Sequence, residues 1–313
     1  MAVHFVVTGF GEFHGVKRNP TQVLVEWLDQ KQRARGSTIT PQATATHASS
    51  TDAEAASAAE EQQEAYRILS CTVLEVSATA VCKFLEEQAA LLQAACSAAG
   101  KQPVVLLHLG VDNQRNCLNL ELQAFNNATF RCPDEAGWQP RGLVIEQGQG
   151  LGLSSVRSTA LPVQQLAQEL HGAGFDCHVS RDAGRFVCNY IYHKSLQLTH
   201  TLSRSQQDAA AGGSSGSSSS SSCMAADAAD KQEEGSLAAA GNSSDAGSSD
   251  AGSSQAAQQQ QQQQQADACE GTPCYSLFVH VPSFEAVPEE RQQQFLLALL
   301  DSISKQLMRT KAA

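Results

Sequence analysis

The sequence predicts a single-domain, three-layer α/β/α fold around an open, twisted, largely parallel sheet, and three observations carry that expectation. Short apolar runs of strand length recur along the chain; the most continuous, Val104-Val105-Leu106-Leu107-His108-Leu109, has the composition of a strand buried on both faces. Segments with apolar residues at helical spacing follow several of these runs, as in Val23, Leu24, Trp27 and Leu28. Glycine-rich or proline-rich turns separate the two kinds of segment, which is the punctuation of alternating strands and helices.

Val3 to Thr8 reads as the first buried strand, ending at Gly9, and Gly9-Phe10-Gly11-Glu12-Phe13-His14-Gly15 reads as a mobile loop at its C-terminal end. Asn19-Pro20 has the form of an N-cap followed by proline at the first helical position. Ile68 to Val76 is a second strand, with Ser77 capping a helix that carries Val81, Leu85, Leu92 and Cys96. Asn113 to Asp134 is irregular and polar with alternating apolar residues, and is expected as an extended segment over the sheet edge. Pro162 opens a helix with Val163, Leu166 and Leu170 inward and Gly174 closing it; Phe175 to Val179 is the next strand. Tyr275 to Val281 and Pro288 to Leu307 supply a final strand and a final amphipathic helix.

The domain, 1–313, is interrupted by polar segments at about 34–64 and 203–270. The second contains a serine run (217–222), a repeated Ser-Ser-Asp-Ala-Gly and a glutamine run (258–265). Such composition buries too little apolar area to offset its ordering entropy, so disorder is expected there. The net charge of -11 is concentrated in this insert, where nine acids face Arg204 and Lys231, leaving the remainder near -4. That balance argues against a nucleic-acid footprint or a polybasic membrane surface. Ten cysteines, several within apolar strand or helix patterns, read as reduced thiols and not as a disulfide framework. With no leader-like apolar segment at its start, the chain is expected to be soluble and cytoplasmic.

Asp182-Ala183-Gly184-Arg185-Phe186-Val187-Cys188-Asn189-Tyr190 sets a cysteine where a turn enters a helix. A thiol at such a point meets the positive end of the helix macrodipole and unpaired backbone N–H groups, a setting suited to a nucleophile. A buried cysteine acting only as a small hydrophobe is the alternative. A nucleophilic cysteine needs a histidine partner, and His108 and His280 both fall near strand C-termini, where open α/β sheets build ligand sites; the pattern alone does not choose between them. The insert does not separate Cys188 from His280 functionally, because lengthening a loop about tenfold costs only roughly 2 kcal/mol of closure entropy. No metal-binding or phosphate-binding motif is present, and no cofactor is expected.

Four stretches in order, Gly9-Phe10-Gly11-Glu12-Phe13 with Asn19-Pro20, then Glu121 with Asn126 and Arg131-Cys132-Pro133-Asp134-Glu135, then Gly184-Arg185-Phe186-Val187-Cys188-Asn189, then Phe278-Val279-His280-Val281-Pro282, resemble the pyroglutamyl-peptidase I family of cysteine exopeptidases, most closely its plant-type members. The resemblance spans nearly the whole chain outside the two polar segments. It implies Cys188 as nucleophile, His280 as its proton partner and Glu121 as the carboxylate that orients the imidazole, acting on peptides with an N-terminal pyroglutamate. It further implies Phe10 and Phe13 as the aromatic platform for the flat lactam and Arg131 as a nearby electrostatic group. Ordinary core aromatics and a surface arginine are the alternatives for these three. Val111 stands where bacterial members carry a glutamine tied to the lactam, and Leu122 where they carry an arginine, so substrate preference is the property most open to change. Two other classes remain in view: a binding scaffold for modified N-termini, and a nucleoside phosphorylase on the same broad architecture, which would need phosphate-binding loops the sequence lacks.

Overall fold

The computed structural model describes residues 2–36, 66–97, 102–210 and 273–312. Most of the two polar segments, and with them the expected disorder, lies outside these residues. In chain order the elements are β1 (Val3–Phe10), α1 (Pro20–Gly36), β2 (Tyr66–Leu74), α2 (Ala78–Ser97), β3 (Val104–Val111), β4 (Leu118–Glu121), β5 (Gln123–Phe125) and β6 (Val156–Ser158). They continue with α3 (Val163–Gly172), β7 (Cys177–Ser180), α4 (Val187–Ala210), β8 (Cys274–Val281) and α5 (Glu289–Ala312).

The main sheet has the order β2-β1-β3-β8-β4-β7. Its neighbours are parallel except β4 and β8, which run antiparallel. β5 and β6 form a separate two-stranded antiparallel ribbon. Alternation along the strands divides the core into two layers. Leu24, Leu28, Leu166, Leu170, Leu299 and Ile303 of α1, α3 and α5 pack on one face with Phe5, Leu107 and Val279. Val81, Phe84, Leu85, Ile191 and Leu196 of α2 and α4 pack on the other with Val6, Leu106 and Phe278. The expected three-layer, largely parallel α/β fold is therefore present, and two of its helix starts follow the sequence signals. Asn19 Oδ1 accepts the Thr21 N–H at 3.0 Å, and Ser77 Oγ accepts the Ala80 N–H at 3.2 Å.

Three expectations are corrected. Phe10 belongs to β1 and not to the loop after it, because β1 is paired through its last residues, Gly9 with Val73 and Phe10 with Leu74. Gly9 extends the strand for a steric reason: a Cβ there would lie 2.5 Å from Thr21 O, so its absence lets the start of α1 pack on β1. β4 is an interior strand between β8 and β7 and not an extended segment over the edge. Finally, α1 continues through Gly36 and α4 through Ala210, so the first residues of both polar segments are helical.

Candidate active site

The parallel strands β3 and β8 bring Gly110 and His280 side by side as register partners, and α4 delivers Cys188 above them. A Cβ on Gly110 would lie 3.0 Å from Cys188 Sγ and 2.5 Å from Phe278 Cζ. The sulfur therefore occupies space that only glycine leaves open. Cys188 is the second residue of α4, where the first-turn N–H groups have no intrahelical acceptors. The turn before it is built from Gly184, at φ +80, and Asp182, whose Oδ1 accepts the Gly184 N–H at 3.0 Å and pairs with Arg185 at 2.6 Å.

His280 Nδ1 lies 2.8 Å from Glu121 Oε1, and both side chains are buried, at 8% and 0% exposure. Burial is the largest influence on this imidazole and pushes its pKa down. The side-chain interactions with Cys188 and then Glu121 outweigh it, raising the value to about 10. The protonated imidazole is thus favoured, held between the Cys188 sulfur and the Glu121 carboxylate.

Asn189, fully buried beside Cys188, ties the helix start to the neighbouring chain. Its Oδ1 accepts the Phe125 N–H at 2.8 Å, and its Nδ2 donates to Phe125 O at 2.9 Å and Asn127 O at 3.1 Å. Asn126 braces the same strand from the other side, donating to Glu146 O at 2.9 Å and accepting from Glu146 N at 2.7 Å. Each such bond contributes about 0.5–1.5 kcal/mol net, so Cys188 sits on a rigid support.

The residues expected to bind substrate are spread around this centre. Phe10 is buried at 3% exposure in the apolar layer that also receives Cys188 and Phe186, which gives it a core role whatever else it does. Phe13 is half-buried against the same layer, in a tight turn whose backbone bonds reciprocally with Val16. Arg131 is exposed, with its guanidinium carbon 5.7 Å over the Phe186 ring. The loops carrying Phe13 and Arg131 are joined, since both the backbone N–H and Nδ1 of His14 meet Glu135 Oε1, at 3.2 and 3.1 Å. Asp134 anchors the Arg131 loop, accepting the Trp138 N–H at 2.8 Å and the Ala78 N–H at the start of α2 at 2.9 Å. Val111 is half-exposed at the end of β3, and Leu122 packs against the layer opposite Cys188.

His108, the other candidate, lies on β3 opposite Phe278 and is fully buried. Its Nδ1 meets Thr8 Oγ1 at 2.8 Å, and burial lowers its pKa to about 3. It is a neutral core residue. Gly110 was not singled out from the sequence; the signal for it was a glycine within the most apolar strand, where a close backbone approach is the usual reason. Among the described residues, no cluster of His, Cys, Asp and Glu is arranged to hold a metal ion.

A thiol at a helix start, a buried imidazole and a carboxylate behind it form the constellation by which cysteine peptidases are recognised. A family model described as pyroglutamyl peptidase matches residues 70–212, which include Glu121, Arg131 and Cys188. The pyrrolidone-carboxylate peptidase of Vibrio parahaemolyticus is 39% identical over 93 residues, covering 29% of this chain and 42% of that protein. That of Thermococcus litoralis is 23% identical over 194 residues, covering 62% and 68%. The chain spans less than half the length of the Vibrio relative and of a Levilactobacillus brevis relative, at 42% and 48%. In fold, the structure resembles the pyrrolidone carboxyl peptidases of T. litoralis (TM-score 0.55, 15% identity, covering 99% of this chain and 96% of that one) and Pyrococcus furiosus (TM-score 0.55, 16% identity, covering 97% and 100%). The chain is thus similar to pyroglutamyl peptidases in sequence over residues 70–212 and in fold over nearly its whole length.

Proposed function

We propose that the protein removes N-terminal pyroglutamate from peptides by cysteine-peptidase chemistry at Cys188. The observation that carries this reading is the buried His280, bonded to Glu121 on one side and interacting with Cys188 on the other. In the proposed reaction, the Cys188 thiolate attacks the pyroglutamyl carbonyl and a C–S bond forms. The His280 imidazolium gives its proton to the departing amine nitrogen as the C–N bond breaks. His280, now neutral, takes a proton from water, the resulting hydroxide cleaves the thioester, and 5-oxoproline leaves. First-turn backbone N–H groups of α4 face the developing oxyanion, where fixed donors are most effective.

Substrate binding is assigned to Phe13 and Phe10, whose rings suit the apolar faces of the lactam, and to Arg131 as an electrostatic neighbour. Pyroglutamate has no charged α-amine, so an apolar layer next to the nucleophile supports this assignment. The domain is proposed to be one peptidase unit with inserted polar segments. A cytoplasmic location is part of the same proposal, supported by the free thiols of Cys71, Cys82, Cys117, Cys132 and Cys177 beside Cys188. Among the described residues no helix is long and apolar enough to cross a membrane. A scaffold without chemistry has no use for a buried imidazole held between a cysteine sulfur and a carboxylate, since burying charged groups is costly even when they are paired.

The test is release of a fluorogenic amine from a pyroglutamyl amide by the purified protein, with and without a thiol reductant, beside Cys188→Ala. Reductant-dependent release that falls by about 10³-fold or more in the variant is expected. A well-folded wild type that releases nothing would remove the peptidase reading.

A further inference from the structure

We propose that the Tyr192 hydroxyl is a positioning group for the site: it pins β4 in the register that brings the Glu121 carboxylate to His280. This rests on the peptidase reading for its consequence in turnover, but its geometry stands apart from it.

β4 has four residues; it pairs with β8 through Asn119, Leu120 and Glu121 only, and on its other side with the equally short edge strand β7. A strand this short has little ladder of its own to fix it. A slip of one residue is opposed by burial, because Leu118 and Leu120 would leave the apolar layer they now fill. A slip of two residues keeps every side chain on its own face, so alternation does not oppose it. It would carry Glu121 about 6.8 Å along the strand, far beyond hydrogen-bond reach of His280. Something specific has to exclude that register.

Tyr192 meets this need. Its hydroxyl donates to Glu121 O at 2.7 Å, with the side chain fully buried, and it also meets the Thr159 hydroxyl and the Phe278 backbone. Thr159 extends the pin to both strands: its N–H donates to Leu122 O at 3.0 Å and its Oγ1 donates to Ser276 O at 2.6 Å. Glu121 and Leu122 at the end of β4 are thereby referenced to Ser276 and Phe278 of β8, the strand that carries His280. Tyr192 lies one helical turn after Cys188 on α4, so the helix that presents the nucleophile also holds the carboxylate in place. Burial, followed by the Glu121 charge, keeps the phenol proton bound far above the ordinary tyrosine range, so the group remains a donor. Phenylalanine would fill the same space and pack equally well, but could not donate to Glu121 O.

The experiment compares full-length wild type with Tyr192→Phe by three readouts: kcat and KM on a pyroglutamyl amide, the pH dependence of Cys188 alkylation by iodoacetamide, and Tm. The expected result is a fall in kcat of about 10-fold with KM within about twofold. The alkylation limb that reports loss of the His280 proton moves to lower pH, by about one unit. A lower Tm with kcat and the alkylation profile both at wild-type values would assign Tyr192 a purely structural role and overturn the proposal. If Tyr192→Phe does not fold, Thr159→Val is read by the same criteria. A wild type that does not turn over the amide would remove the peptidase reading, and the alkylation profile alone would then decide the positioning role.

Discussion

His108 and His280 stand on neighbouring strands, on the same face of the sheet, one register step of two residues apart, and both are buried, at 0% and 7% exposure. Yet their pKa values are driven in opposite directions, to about 3 and about 10. The difference lies in their partners. His108 has the neutral hydroxyl of Thr8 at Nδ1 and, among the described residues, no partner at Nε2, so desolvation acts unopposed. His280 undergoes the same desolvation but has Glu121 at one nitrogen and Cys188 within interaction range. Position near the C-terminal end of a strand makes a histidine available for chemistry; an oppositely charged neighbour makes it an acid at neutral pH.

Breaking the His280 side of the comparison has the largest expected effect. Glu121→Gln keeps a side chain able to hydrogen-bond Nδ1 but removes the charge, and kcat on a pyroglutamyl amide should fall by about 10²-fold or more. The same variant tests the linkage. Because the folded pKa of His280 is raised, its contribution to stability is complete below the unfolded value of about 6.5 and is lost as pH rises toward 10. Urea midpoints measured between pH 7 and 10 should fall more steeply in wild type than in Glu121→Gln.

Gly110→Ala comes next, since it leaves every charge in place and crowds the Phe278 ring and the Cys188 sulfur. With a Cβ 3.0 Å from Cys188 Sγ and 2.5 Å from the Phe278 ring, overpacking should cost about 1–3 kcal/mol of stability by urea unfolding. Cys188 must also shift, so kcat should fall by about 10-fold or more.

The smallest effect on activity is expected at the other histidine. His108→Leu should leave kcat and KM within about twofold, a result that wild-type-like kinetics would check directly. Its signature is in acid. A depressed histidine contributes stability above its unfolded pKa of about 6.5 and loses it as pH falls toward 3, so the variant should lose less stability than wild type between pH 7 and 4. His193, lowered to about 4 by burial, retains part of the acid sensitivity in both proteins.

The fold was legible in the sequence because it is written in local periodicity: the apolar run of β3, the capped starts of α1 and α2, and Gly174 closing α3 at φ +86. β4 was not legible, because four residues carry little pattern and their place inside the sheet depends on β7 and β8, far away in sequence. Phe10 was assigned to a loop because Gly9 and Gly11 flank it, whereas pairing with β2 carries the strand through. Within the candidate site, the sequence pointed to Cys188 through its turn and helix start, which the structure contains. The choice of His280 over His108 was not visible in composition or spacing, since the deciding carboxylate lies 159 residues from it in the chain. It came from the order of four motifs. Gly110 and Tyr192 act only through tertiary neighbours, so nothing local to either residue announces its role.

Cys188, with His280 behind it, is proposed to react with a pyroglutamyl carbonyl. The most direct test is peptide mapping by mass spectrometry after exposure to a pyroglutamyl chloromethyl ketone, with the prolyl analogue alongside and Cys188→Ala as control. A single adduct on Cys188 is expected in wild type, none in the variant, and much slower labelling by the charged prolyl reagent. Labelling of other cysteines at the same rate as Cys188, or equal reaction with both reagents, would contradict it.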